Sequence, residues 1–178
     1  VLYYWLTPAT VLLVPFLVHI LRFKIWHYLH IIYGIVISLI LVINISIYPI
    51  SAFMGNVDRE TALLFGWEKI VEAVDREKKI RDIEKVVFSD YRIGSLYIFH
   101  SGDFNADVFM EERRTQFDVW REQENSFGAK VLIIADNDFP IGQKISSNFE
   151  KIEFVRDIKI SLGNKLIKKY QVFLGTNT

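Results

Sequence analysis

"KVVFSDYRIGSLYIFH", residues 85–100, decides the fold class. Its first six residues are a short β-branched run, which predicts a buried strand. The next ten set Ile93, Leu96, Tyr97 and His100 along one side of a helix. A strand that runs straight into a helix is half of a βαβ unit.

The same alternation continues outward. Upstream, "GWEKIVEAVDREKK" puts Trp67, Ile70, Val71 and Val74 at helical spacing, with Gly66 at its start. Downstream, "ADVFM" reads as a second short strand and "FDVWREQENSF" as a helix stopping near Gly128. "KVLIIAD" is the clearest strand, closed by the turn-rich "DNDFP", and "IGQKISSNF" is a short helix. The tail changes character. "KIEFV", "IKISL" and "KLIKKYQVFLG" are β-rich, and Gly163-Asn164 between two of them signals a two-residue hairpin. These features predict a small α/β, Rossmann-like domain over residues 58–178, with a parallel sheet and a C-terminal β-hairpin at its edge.

Charge separates this domain from what precedes it. The chain has 178 residues, and residues 1–57 hold no Asp or Glu and only two basic side chains, Arg22 and Lys24. Residues 58–178 carry all 21 acidic side chains and 19 of the 21 basic ones, a formal charge of −2. Two apolar stretches, about 1–21 and 31–50, each approach the length needed to cross a hydrocarbon core. They predict two transmembrane helices. The first has neither a basic n-region nor a small-residue cleavage site, so a signal peptide fits poorly. The chain starts without Met, inside an apolar run, and more membrane protein is expected upstream. The short loop with Arg22, Lys24, His27 and His30 is placed in the cytoplasm by the positive-inside rule. That puts the soluble domain on the periplasmic or extracellular side. The chain has no Cys, so it needs no disulfides.

Several chemical motifs fail on inspection. "DFNADVFMEERR" begins like a calcium loop, but its sixth position is Val108 and its twelfth is Arg114, where Gly and Glu are needed. Asp136 and Asp138 could hold a divalent metal, yet Asp-x-Asp after a strand is also an ordinary turn, and the turn is the better reading. His27 and His30 have no third ligand nearby. His100 is read as capping the carbonyls at its helix end. Lys165, Lys168 and Lys169 read as a solvated face or edge protection, not as a nucleic-acid patch.

"RRTQFDVW", residues 113–120, stays open between two readings. A helix starting near Gln116 accounts for Phe117 and Trp120 facing the core and for Asp118 in the first turn. It does not account for Arg113, Arg114 and Gln116 at the same place, and arginine suits a phosphate or carboxylate.

The order of these segments resembles a known family. Apolar spans are followed by a linker, "GWEKIVEAV", "FSDYRIGSLYIFH", "RRTQFDVW", "GAKVLIIAD" and a β-rich tail. This is similar to the C-terminal part of bacterial membrane glycosyltransferases of the protein-mannosyltransferase and lipid A aminoarabinose-transferase type. Tyr91, Arg92, Ser95 and Phe99 match one family element, with His100 where Tyr is frequent. Gln116, Phe117, Asp118 and Trp120 match another, with Thr115 in place of Asn. Trp5 and Pro8 resemble a late Trp-x-x-Pro span.

The resemblance implies transfer of a sugar from a polyprenyl-phosphate donor to a lipid, glycan or protein acceptor at the outer membrane face. It implies membrane lipids as partners and no nucleic acid, and it allows for a divalent metal in the full-length enzyme. The family's catalytic acid lies upstream of these residues, so no catalytic residue is assigned. Tyr91, Arg92, Arg114, Gln116, Asp118 and Trp120 are the substrate-binding candidates of an accessory domain. The rival readings are a membrane-tethered binding or sensory domain without catalysis, and a purely structural domain.

Overall fold

The computed structural model describes residues 24–55, 57–110, 114–121 and 129–177. The expected first span, with Trp5, Pro8 and Arg22, lies outside them, as do Arg113 and Gly128. The chain divides into two compact units, Val1–Ile47 and Tyr48–Thr178.

Helix α1, Lys24–Ser46, belongs to the first unit. Its 23 residues span about 34 Å at 1.5 Å each. It is long and apolar enough to cross a membrane, and none of its residues is buried. It starts earlier and stops earlier than the expected span. Nothing in "KIWHYLH" breaks a helix, so residues 24–30, expected in a loop, are helical. Pro49 pushes Tyr48 out of the helical region, and the helix ends before it. Trp26 and Tyr28 near the first turn suit a membrane–water interface.

The second unit begins with a 3-10 turn, Ile50–Met54, and a short helix α2, Arg59–Ala62. Asp58 caps α2 by accepting from the Thr61 amide at 2.9 Å. Tyr48, Ala52, Val57, Ala62, Leu162 and Ile167 form a small apolar cluster. The segment just after α1 therefore packs with the α/β domain.

Helix α3, Trp67–Arg81, buries Trp67, Ile70 and Val74 as its periodicity predicts. Its start depends on Gly66, which sits at φ +80°. A Cβ there would also lie 2.3 Å from Ile160 Cγ2. Only glycine satisfies both the left-handed backbone and the close approach.

Strand β1, Val86–Phe88, is followed by α4, Tyr91–Ser101, and then by β2, Ala106–Val108. Helix α5, Gln116–Arg121, precedes β3, Lys130–Asp136, and α6 is Gln143–Ser146. Strands β4, Lys151–Leu162, and β5, Lys165–Thr176, close the chain. The sheet order is β2-β1-β3-β5-β4. Strand β1 pairs in parallel with both β2 and β3, whereas β5 pairs antiparallel with β3 and β4. The domain is thus an α/β structure on a mixed five-stranded sheet.

The hairpin forms at Gly163-Asn164, where Leu162 pairs with Lys165 and Gly163 takes φ +57°. "KIEFV" and "IKISL" are one long edge strand, with register shifts at Phe154/Arg156 and Ile160/Ser161. Such irregularities let one strand carry what its sequence suggests are two.

One core joins α3 and α4 to Val86, Phe88, Leu132, Ile134, Tyr170 and Val172. The other joins Val87, Val131 and Ile133 to Ile145 and Phe149. Strand β3 contributes to both cores, which explains its continuous apolar run. Gly94 lets α4 lie close to the sheet, since a Cβ there would meet Val108 Cγ2 at 2.4 Å.

Candidate functional site at the carboxyl edge of the sheet

From β1 the chain goes to β2 on one side and then returns to β3 on the other. The carboxyl ends of β1 and β3 therefore flank a reversal of strand order, where open α/β sheets place ligands. Here the crevice holds a polar cluster from the chain itself.

After β1 come Ser89 and Asp90. Asp90 is fully buried and caps α4, accepting from the Arg92 amide at 2.9 Å. Its carboxylate also grips the inner edge of the Arg92 side chain, with Nε at 3.0 Å from Oδ1 and one terminal nitrogen at 3.4 Å from Oδ2. The other terminal nitrogen donates to Glu60 Oε1 at 2.7 Å. Burial disfavours the guanidinium charge, but hydrogen bonds and attraction from Asp90 and Glu60 outweigh it. The Arg92 pKa is held above its ordinary value.

After β3 the chain turns back. Asp136 Oδ1 accepts from the amides of Asp138 at 2.9 Å and Phe139 at 2.6 Å. Ser89 Oγ donates to the Phe139 carbonyl at 2.6 Å, which ties this turn to β1. The Phe139 ring carries two guanidinium groups, Arg92 at 4.6 Å and Arg59 at 4.7 Å from its centre.

Beneath the turn lies Lys168, 8 % exposed. Its ammonium is 2.8 Å from Asp136 Oδ2, without the alignment of a hydrogen bond, and donates to Asp138 Oδ2 at 2.5 Å. Lys168 is therefore a buried counter-ion and not the solvated lysine expected from its neighbours Lys165 and Lys169. The hydroxyl of Tyr170 is buried with no hydrogen-bond partner among the described residues. Burial and the carboxylates of Asp136 and Asp138 push its pKa up.

The described part of the "RRTQFDVW" segment, residues 114–120, is a helix start. Asp118 Oδ2 accepts from both the amide and the hydroxyl of Thr115, at 2.7 and 2.9 Å. This is the return half of a capping box. Lys144 of α6 reaches Asp118 Oδ1 at 3.2 Å and the Met110 carbonyl at 3.1 Å. Burial works against the Asp118 charge, yet the bonds from Thr115 and Lys144 hold its pKa below the usual carboxylate value. Phe117 is buried at 6 % exposure, as expected. Trp120, expected in the core, is 52 % exposed and packs edge-on to Phe117 at 5.3 Å.

Of the six candidates, Tyr91 and Arg92 start α4, and Gln116, Asp118 and Trp120 lie in α5 just after Arg114. Arg92 joins the cluster between β1 and β3, and Asp118 joins Thr115 and Lys144. Gln116 and Arg114 are exposed. Arg59, Glu60, Asp90, Phe139 and Lys168 were not singled out as ligand candidates from sequence.

Two other readings are settled by geometry. Asp103 pairs with Lys78 and accepts from Tyr97, while Asp107 lies in β2 and accepts from the Val108 amide, so the two do not converge as calcium ligands. His100 stacks on Trp67, with ring centres 5.7 Å apart and planes within 2°. Among the described residues no group of three or more His, Asp or Glu side chains is placed to hold a metal ion. A cavity of about 520 Å³ lined by Asp82, Lys85, Asn105 and Lys130 lies at the amino ends of the strands, away from this cluster.

No family model, curated protein or solved structure matches the chain with significance.

Proposed function

We propose that this chain is the C-terminal portion of an integral-membrane glycosyltransferase. The enzyme would transfer a sugar from a polyprenyl-phosphate donor to a lipid, glycan or protein acceptor. The α/β unit is its Rossmann-like accessory domain, carried on the outer face of a bacterial inner membrane.

One observation carries this reading. A membrane-length helix precedes an α/β domain whose three family-like segments all sit at helix starts. Gly66-Trp67 opens α3, Tyr91-Arg92 opens α4, and Gln116 to Trp120 forms most of α5. The last two face the carboxyl edge, where α/β domains meet ligands.

The rival is a tethered binding domain without catalysis. It is favoured by the internal pairing of Arg92, Glu60, Asp90, Lys168, Asp136 and Asp138. An accessory role absorbs that observation, because the chemistry then belongs to other residues of the enzyme.

Membranes containing the whole protein, supplied with radiolabelled polyprenyl-phosphate sugars, test the proposal. Label should pass to a membrane acceptor, and the yield should drop in Asp118→Asn at unchanged expression. Absence of transfer from every donor, with the protein folded and inserted, would leave the tethered binding domain as the account.

A further inference from the structure

We infer that Arg59 and Arg92 form a binding site for a phosphate group, held closed by the carboxylate of Glu60. Three observations converge on it. Both guanidiniums aim at a single oxygen, Glu60 Oε1, with Arg92 at 2.7 Å and Arg59 at 3.2 and 3.3 Å. Arg92 is fixed in advance, because buried Asp90 holds its inner edge and Phe139 covers its face. Glu60 is not fixed, with 63 % of its side chain exposed.

The chemistry of the fit follows. Two forked donors crowding one carboxylate oxygen are under-used, since a guanidinium prefers an oxygen pair of its own. A tetrahedral oxyanion presents three or four oxygens and can give each arginine separate acceptors. Exposed ion pairs are weak, so Glu60 can be displaced. When Glu60 swings away, Arg59 and Arg92 against Asp90 leave a local charge of +1 for the incoming anion. Phe139 supports both guanidiniums by cation–π contact. The site also lies at the reversal of strand order.

This deepens the accessory-domain reading by giving it a ligand class, and it rests on that reading only for the source of the phosphate. A membrane lipid headgroup and a water-soluble phosphate ester present the same group.

The test uses the full chain in phosphatidylcholine nanodiscs, titrated with inorganic phosphate and followed by phosphorus NMR. Saturable binding is expected. Glu60→Gln should bind about tenfold tighter, because the competing charge is gone. Arg59→Gln, at an exposed position that leaves the Asp90–Arg92 pair intact, should bind about tenfold more weakly. Adding phosphatidic acid to the discs assigns the source: competition with inorganic phosphate indicates a lipid ligand, and unchanged binding indicates a soluble one. The inference is overturned if neither the wild type nor Glu60→Gln binds phosphate saturably, or if both substitutions leave the affinity unchanged. The readout is binding alone, so failure to detect sugar transfer does not affect it.

Discussion

Replacing Lys168 by methionine should break the turn that fills the crevice. Lys168 is the only cation within reach of Asp136 among the ion pairs of the described residues, and Asp136 is fully buried. Methionine keeps much of the side-chain volume and removes the charge. Breaking a buried pair from one side strands the other charge, at a cost of about 3–5 kcal/mol. A domain of this size is stable by about 5–15 kcal/mol, so roughly a fifth or more of its stability is at stake. The double variant Lys168→Met/Asp136→Asn removes the stranded charge. The side-chain carbonyl of the new asparagine can still accept from the two amides that Asp136 Oδ1 now serves, so part of the loss should return. The coupling between the two substitutions should reach about 2 kcal/mol. Urea unfolding of the full chain in mild detergent, followed by near-ultraviolet circular dichroism, gives all three values. A Lys168→Met loss below about 1 kcal/mol, or additive effects in the double variant, would mean that Lys168 behaves as a solvated lysine. The account of the crevice would then be wrong.

The packing and the helix cap lead to three further expectations. Gly66→Ala should cost about 2–4 kcal/mol, combining a left-handed alanine with the clash against Ile160, and thermal unfolding would show it. Phe117→Ala should cost about 3–5 kcal/mol, whereas Trp120→Ala, half exposed, should stay near 1 kcal/mol; comparable losses from both would contradict the burial of α5. Asp118→Ala should destabilise by about 1–2 kcal/mol through loss of the cap. Because the folded pKa of Asp118 is depressed, its contribution is present above the ordinary value near 3.8 and lost as pH falls through the folded value. The stability gap to Asp118→Asn, measured by urea titration between pH 7 and 3, should narrow only below about pH 4. A gap independent of pH would show that the ionised carboxylate is not what the cap uses.

The regular elements were legible because their periods are strong. "KVLIIAD" serves both faces of the sheet and reads as an unbroken apolar strand. The helix from Trp67 and the Gly163-Asn164 hairpin follow from spacing and turn chemistry. The candidate site was less legible. Lys168 looked solvated beside Lys169, yet it alternates in phase with buried Tyr170 and Val172, and that phase carries the signal of a buried lysine. Arg59, Glu60 and Phe139 come from segments that only the fold brings together with Arg92, and no local pattern marks them. Lys24, His27 and His30 make residues 24–30 read as a polar loop, whereas α1 already includes them. A helix continues through an interface as readily as through the bilayer core.

The most direct test of the transferase reading is side-resolved. Sealed vesicles from membranes containing the whole protein are prepared right-side-out and inverted. Each receives radiolabelled polyprenyl-phosphate sugar confined to its outer leaflet. The account predicts transfer of label to a membrane acceptor in right-side-out vesicles and little in inverted ones. Transfer confined to inverted vesicles, or none in either orientation from folded protein, would contradict it.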